Sequence, residues 1–153
     1  MSKQKNSIEN AWNDFYDGSF SPNFSKIEKN ERVELSSTNA YIYECLFNNI
    51  TSTATGGAVY STATSNLLIE STSFYSCKTS QDHGGAIHFD NSNSGQSSLY
   101  KVCAIDCYTT YSKDNSFGQF SIVKIKDDIN YKNNINYSSI SKCVNTISGS
   151  EDS

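Results

Sequence analysis

The stretch Gly56-Gly57-Ala58-Val59 recurs along the chain as Gly84-Gly85-Ala86-Ile87. Each copy follows a segment that begins with an aromatic residue, Phe47-Asn48-Asn49-Ile50 in the first case and Phe74-Tyr75-Ser76-Cys77 in the second. Self-similarity at a period of about 20 to 50 residues is typical of stacked repeat proteins. The two copies therefore predict an architecture in which successive turns of the chain lie on one another.

Columns of like residues extend through the repeats. The predicted columns are Phe47, Phe74, Ile105 and Ile140; Ile42, Ile69, Tyr100 and Ile135; Ile50, Cys77, Tyr108 and Cys143; and the small residues Cys45, Thr72, Cys103 and Ser138. Residues 90–98, 109–116 and 126–134 lie between these columns and lengthen the later repeats as loops. Strands stacked about 4.8 Å apart place like side chains on like. The pattern predicts an all-β parallel β-helix, or β-solenoid, of about four coils.

The Gly-Gly pairs fit a corner of such a coil. A corner needs positive φ, and a Cβ there would clash with the coil above. Ala58 and Ala86 then begin the next strand as small inward residues, and Val59 and Ile87 continue it. At the corresponding third corner, residues 117–120, one glycine remains.

The composition suits a thin core. The 153 residues fit one domain, yet only 36% are hydrophobic and the mean hydropathy is -0.55. Aromatic residues reach 12% and charged residues only 18%, which opposes disorder. A solenoid has this profile because each short coil points few side chains inward.

A short helix is predicted before the coils. Ile8, Ala11, Trp12, Phe15 and Tyr16 recur at helical spacing within residues 6–18, and Gly18 ends the segment. We expect a lid over the first open coil, since a bare strand edge promotes aggregation. The predicted divisions are a capping segment at 1–30, the β-helix domain at 31–147 and a polar tail at 148–153.

The cysteines are predicted to be core residues. Cys45, Cys77, Cys103, Cys107 and Cys143 form no C-x-x-C pair, and four of them recur near one phase of the repeat. Reduced buried thiols fit this pattern. Disulfides remain an alternative, with Cys103 and Cys107 the closest pair in sequence. The spacing of Cys77, His83 and His88 matches no zinc frame, so we predict no metal and no cofactor.

Charge and targeting signals limit the possible partners and locations. A net charge of -4 and a single arginine, Arg32, disfavour nucleic acid. The polar start shows no signal peptide, and no apolar run would span a membrane. Intracellular residence, unconventional export and a piece of a longer chain all stay open. Possible glycosylation sites are Asn23, Asn49 and Asn136.

The paired motifs resemble a known repeat. An aromatic-led F-x-x-N-like segment followed by G-G-A-[I/V] is similar to the repeat of the polymorphic outer-membrane proteins. The matching segments are Phe47–Ile50 with Gly56–Val59, and Phe74–Cys77 with Gly84–Ile87; the family's fourth-position Asn is Ile50 and Cys77 here. The resemblance implies a right-handed, pectin-lyase-like parallel β-helix and an adhesin-type protein at the cell surface. It also implies a partner that is a protein or glycan on a host or neighbouring cell.

Catalysis is the alternative function, because many parallel β-helices cleave polysaccharides. The candidate groups are Asp82, Asp90, Asp106, Asp127 and Asp128, with His83 or His88 nearby. These carboxylates fit turns and solvated loops better than a facing catalytic pair. We therefore predict a non-catalytic module for recognition or display, with no catalytic residue. A small or degenerate lyase or glycosidase, and a fragment of a larger surface protein, are the alternatives, and the sequence leaves the oligomeric state open.

Overall fold

The structure is a computed structural model that describes residues 11–81, 83–111, 119–128, 130 and 133–143. These residues form short strands and one helical turn, α1 (Trp12–Phe15). The strands join in four sheets, here called A to D, and neighbouring strands within each sheet are parallel. The all-β class predicted from the repeats is confirmed.

Each sheet collects one strand from successive passages of the chain, and we call each passage a coil. Sheet A contains β1 (Phe24–Ser25), β4 (Asn39–Tyr43), β8 (Asn66–Glu70), β12 (Gln96–Tyr100) and β16 (Asn134–Asn136). Sheet B contains β2 (Glu28–Lys29), β5 (Leu46–Asn48), β9 (Ser73–Tyr75), β13 (Cys103–Ile105) and β17 (Ser139–Ser141). Sheet C contains β3 (Val33–Glu34), β7 (Val59–Ser61), β11 (Ile87–Asp90) and β15 (Ser121–Lys124). Sheet D contains β6 (Thr51–Ser52), β10 (Lys78–Thr79) and β14 (Tyr108–Thr109).

The register confirms the predicted columns in the first, second and fourth repeats but displaces the third by one residue. Phe74 pairs with Phe47 on one side and with Ala104 on the other, and Ala104 pairs with Ile140. Buried Leu99, Val102, Ala104 and Cys107 take the places predicted for Tyr100, Cys103, Ile105 and Tyr108. Because side chains alternate across a strand, this slip turns Ile105 outward, where it is 36% exposed.

The core is a stack of buried columns. The rings of Phe47 and Phe74 lie parallel, with centroids 5.0 Å apart, and Phe120 meets Phe74 edge-on. Ile42, Ile69 and Leu99 form a second column that is fully buried. Aromatic stacking and full burial make these columns the main source of stability.

The corners of the coil are turned by two different means. Non-glycine residues adopt left-handed φ between sheets A and B (Lys26, Glu44, Ser71, Lys101, Tyr137) and between sheets B and D (Asn49, Ser76, Asp106), and Lys142 does so after β17. The corner before sheet C uses glycine. Gly56 and Gly84 have φ of 70° and 65°. Gly57 and Gly85, which follow them, leave no room for a side chain, since a Cβ on Gly57 would lie 2.0 Å from the Gly85 carbonyl oxygen.

The N-terminal segment differs from the predicted lid. Residues 6–10 of the predicted helix lie outside the described residues, and α1 has only four residues. Trp12 packs with Tyr41 and Leu68 on the outer face of sheet A, so the described part of the segment covers a side of the coils. Tyr41 and Leu68 point outward yet are large and apolar, and covering them is the physical reason for this placement.

The coils also begin earlier than residue 31. Strands β1 and β2 already pair with β4 and β5. Phe24 packs against the core below them, and the Lys29 ammonium lies 5.2 Å from the centre of its ring. These two side chains contribute to the cover at the first coil.

Phe74→Ala should lower the free energy of unfolding by about 3–5 kcal/mol, because it leaves a cavity between Phe47 and Ala104. Tyr75→Ala is the matched control. It is the next residue but is 53% exposed, so it should cost no more than about 0.5 kcal/mol. Denaturant titration measures both, and equal losses would contradict the assigned register.

Gly85→Ala should destabilise through crowding, because its Cβ would lie 2.2 Å from the Gln119 carbonyl oxygen. We expect a loss of about 2–3 kcal/mol. Gly18→Ala tests backbone strain alone, since Gly18 has φ of 84° with open space around it, and should cost about 1 kcal/mol. Thermal unfolding of both variants would refute the crowding argument if Gly18→Ala were the more damaging.

Candidate functional site

Exposed apolar side chains gather along sheet B. The large hydrophobic residues at the surface of the described chain are Ile27, Tyr75, Ile105, Ile135, Tyr137 and Ile140. All but Ile135 lie on sheet B or at its corner with sheet A. Tyr75 and Ile105 are register partners in adjacent coils and point outward side by side. We call the outward side chains of β5, β9 and β13 the sheet B face.

One border of this face, at the corner with sheet D, is charged. The Lys78 ammonium lies 3.0 Å from a carboxylate oxygen of Asp106, which also accepts a hydrogen bond from the Ser76 hydroxyl. The hydrogen bond from Lys78 lowers the pKa of Asp106, and the same bond raises the pKa of Lys78. Both groups are therefore charged at neutral pH.

The opposite border carries both signs of charge as well. Lys26 and Glu44 pair at 3.6 Å at the corner with sheet A. The Asn48 amide donates to Glu28 at 2.9 Å. The sheet B face thus has an apolar centre and a polar rim, which is the anatomy of protein interfaces.

The thiols behave as core groups with one exception. All five cysteines are free, and Cys103 alone is partly exposed, as an outward side chain of the sheet B face. Cys77, Cys107 and Cys143 stack in successive coils, where backbone N–H groups of Cys77 and Cys107 donate to the sulfur of the next coil at 3.5 and 3.4 Å. Hydrogen bonding with Cys77, followed by burial, raises the pKa of Cys107.

Cys103 should react with a maleimide at neutral pH before the other thiols do, because attack requires access as well as a thiolate. Cys77 and Cys107 should label only after unfolding. Peptide mapping by mass spectrometry follows each site, and Cys103→Ser should abolish the fast phase. Equally rapid labelling of Cys107 in the folded protein would contradict its burial.

Most of the groups considered for catalysis lie on or near sheet C, away from the sheet B face. Arg32, Tyr60 and His88 form a column there: the guanidinium lies 4.5 Å from the Tyr60 ring centre, and the rings of Tyr60 and His88 are 5.2 Å apart. Arg32 donates to the Gly56 carbonyl at 2.9 Å and pairs with Glu34. The Arg32 guanidinium therefore has its own partners within this column.

The titratable groups of β11 do not form an acid–base pair. Burial lowers the pKa of His88, and its Nδ1 has no hydrogen-bond partner among the described residues. Asp90 pairs with Lys124 at 2.9 Å, and that hydrogen bond lowers its pKa. A neutral imidazole and a paired carboxylate lie here, and neither is a proton donor at neutral pH.

The remaining candidates are dispersed. Asp106 belongs to the rim of the sheet B face, and Asp128 accepts hydrogen bonds from Asn130 in a loop. Asp127 neighbours Asp128 in that loop, His83 lies at the corner before sheet C, and Asp82 lies outside the described residues. Within the described ranges no group of three His, Cys, Asp or Glu residues is placed to hold a metal ion.

The three glycosylation sequons have different surroundings. Asn23, Asn49 and Asn136 are all exposed. The side-chain Oδ1 of Asn23 already accepts a hydrogen bond from the Tyr41 backbone N–H at 2.7 Å. Asn49 occupies a left-handed corner beside the sheet B face, and Asn136 ends β16. In the part of the chain that is described, no helix has the length and apolarity needed to cross a membrane.

Comparison with known families supports the predicted resemblance. Residues 44–62 match the Chlamydia polymorphic membrane protein repeat. The match covers β5, β6 and β7 and includes Phe47 and the first Gly-Gly pair. No curated protein and no solved structure matches the chain. The repeat, matched over one passage through sheets B, D and C, indicates a module of a surface protein.

Proposed function

We propose that this chain is a non-catalytic recognition module displayed at a cell surface, where it binds a protein on a host or neighbouring cell. In this proposal the coils close into a right-handed parallel β-helix of the pectin-lyase-like type. The observation that carries the proposal is the match of residues 44–62 to a surface-protein repeat. The same segment contributes β5 to the sheet B face.

The sheet B face supports protein recognition. Tyr75 and Ile105 offer an exposed apolar centre, and Lys78 with Asp106 supplies an oriented charged rim. Aromatic side chains at the centre of an interface commonly contribute most of the binding energy. Since the face is part of a hydrogen-bonded sheet, little conformational entropy is lost when a partner docks.

The arrangement of the carboxylates in the described part of the chain favours a recognition role over hydrolysis. A glycosidase needs one protonated and one ionised carboxyl group across the same bond. Asp90 and Asp106 are each held ionised by a lysine, and Asp90 lies on sheet C whereas Asp106 lies at the corner between sheets B and D. An enzyme is the second candidate, because the neutral His88 imidazole near Asp90 on β11 can accept a proton even though neither group donates one at neutral pH.

The double variant Tyr75→Ser/Ile105→Ser should weaken adhesion of the purified protein to intact epithelial cells at least about tenfold. Glu34→Ser/Lys124→Ser is the matched control, because both side chains are exposed outward groups of sheet C. It should bind like the unchanged protein. Removing cell-surface proteins with trypsin beforehand should abolish binding of the unchanged protein and of the sheet C control.

Three results would refute the proposal. They are adhesion that survives trypsin treatment, an equal loss in the sheet C control, and turnover of polyuronates or glycans by the unchanged protein. Far-UV circular dichroism of each variant shows whether the fold is retained.

A further inference from the structure

A polar pocket lies away from the sheet B face, where the chain passes from sheet C into sheet A. Its volume is about 300 Å³, and it is lined by Ser65, Asn66, Ser94, Gln96 and Asn130. Every one of these side chains is a neutral amide or hydroxyl. Ligand pockets are usually lined mainly by apolar groups, so this lining selects for an unusual ligand chemistry.

An amide ladder builds one wall of the pocket. Asn39, Asn66 and Gln96 occupy the same register position in successive strands of sheet A. The Asn66 amide donates to the Asn39 oxygen at 2.8 Å, and the Gln96 amide donates to the Asn66 oxygen at 2.6 Å. Stacking therefore fixes the orientation of these amides before any ligand arrives.

Asn66 retains hydrogen-bonding capacity after the ladder forms. A primary amide has two N–H donors and two acceptor lone pairs. Asn66 uses one of each within the ladder, and among the described residues its side chain makes no other hydrogen bond. Because the two N–H bonds of an amide diverge, the second cannot also point along the stack. Asn66 thus offers one donor and one acceptor beside the pocket.

The opposite wall is also held in place. The hydroxyl oxygens of Ser65 and Ser94 lie 3.3 Å apart. Asn91 accepts hydrogen bonds from the backbone N–H and the hydroxyl of Ser94, and its own amide donates to the Thr64 carbonyl at 2.9 Å. The loop that carries Ser94 is therefore tied to the preceding coil, and its hydroxyl can rotate to donate or accept.

We propose that this pocket binds one neutral saccharide unit. A sugar hydroxyl both donates and accepts, as do the groups of the pocket walls. A phosphate or carboxylate ligand is usually bound by Arg or Lys, and a divalent cation usually by carboxylates; the five lining residues include neither. The volume is at the small end of the range for ligand sites, which suits a single ring.

The test uses the full chain, labelled with ¹⁵N, titrated with neutral methyl glycosides and neutral oligosaccharides at millimolar concentrations. Polygalacturonate and heparin serve as charged comparators. At least one neutral saccharide should shift the side-chain amide signals of Asn66 and Gln96. The charged polymers should leave those two signals in place.

Ser94→Ala should weaken that binding about five- to tenfold, because one hydrogen-bonding group of the pocket is removed. Ser92→Ala is the matched control, since Ser92 is an exposed residue of the same loop whose hydroxyl bonds Asp90 instead. It should leave affinity unchanged. Asn66→Ala should abolish the shift of the Gln96 signal, and the Ser94 result keeps the test decisive if that variant does not fold.

The inference is overturned if no neutral saccharide of the panel shifts the two amides, if Ser94→Ala and Ser92→Ala bind alike, or if only the charged polymers bind. Protein adhesion through Tyr75 and Ile105 is measured separately. Failure of one proposal therefore leaves the other standing.

Discussion

Parallel, in-register pairing between successive coils is the constraint on which the rest of this structure depends. It lays Phe47 on Phe74 at 5.0 Å and brings the Gly57 and Gly85 backbones so close that no Cβ fits between them. Once that spacing is set, each position in one coil dictates what its neighbour in the next can be. A thin core then suffices, because the inward side chains of successive coils cover one another.

The same constraint explains how far the sequence could predict the fold. The Phe column marks repeats whose equivalent positions are 27 residues apart, as in the hydrogen bond from Cys45 to Thr72, and the Gly-Gly pairs are 28 residues apart. Later repeats are 30 and 36 residues apart, as for Cys77 to Cys107 and Cys107 to Cys143. Because loop insertions change the spacing between repeats, the spacing does not identify the core residue of the third repeat. Ala104 and Ile105 are adjacent and both apolar, so either fits. Only the pairing of whole strands selects Ala104 for the core.

The neighbours that each residue meets in the fold are harder to predict from the sequence than the repeats are. A helical pattern shows that Trp12 and Tyr16 have an apolar side but not which surface it meets, and the outward Tyr41 and Leu68 supply that surface. Left-handed corners fall on Lys26 and Glu44, whose residue types carry no signal for this conformation, whereas Asn49 and Asp106 are of types enriched in it. The sequence does not predict the sheet B face, because the predicted register places Ile105 in the core and leaves Tyr75 without an exposed partner.

In a stack of this kind, the side chains that stabilise the fold differ from those that are available for recognition. Inward columns are constrained by their neighbours above and below, whereas outward columns such as Tyr75 with Ile105, or Asn39 with Asn66 and Gln96, change the surface without disturbing the core. Adjacent coils repeat an outward group at the strand spacing, so each column presents a regular row of one chemistry. An apolar row suits a protein surface, and a row of amides suits the hydroxyls of a sugar. One scaffold can therefore carry both kinds of contact on different sheets, which is why the two surfaces can be tested with separate substitutions.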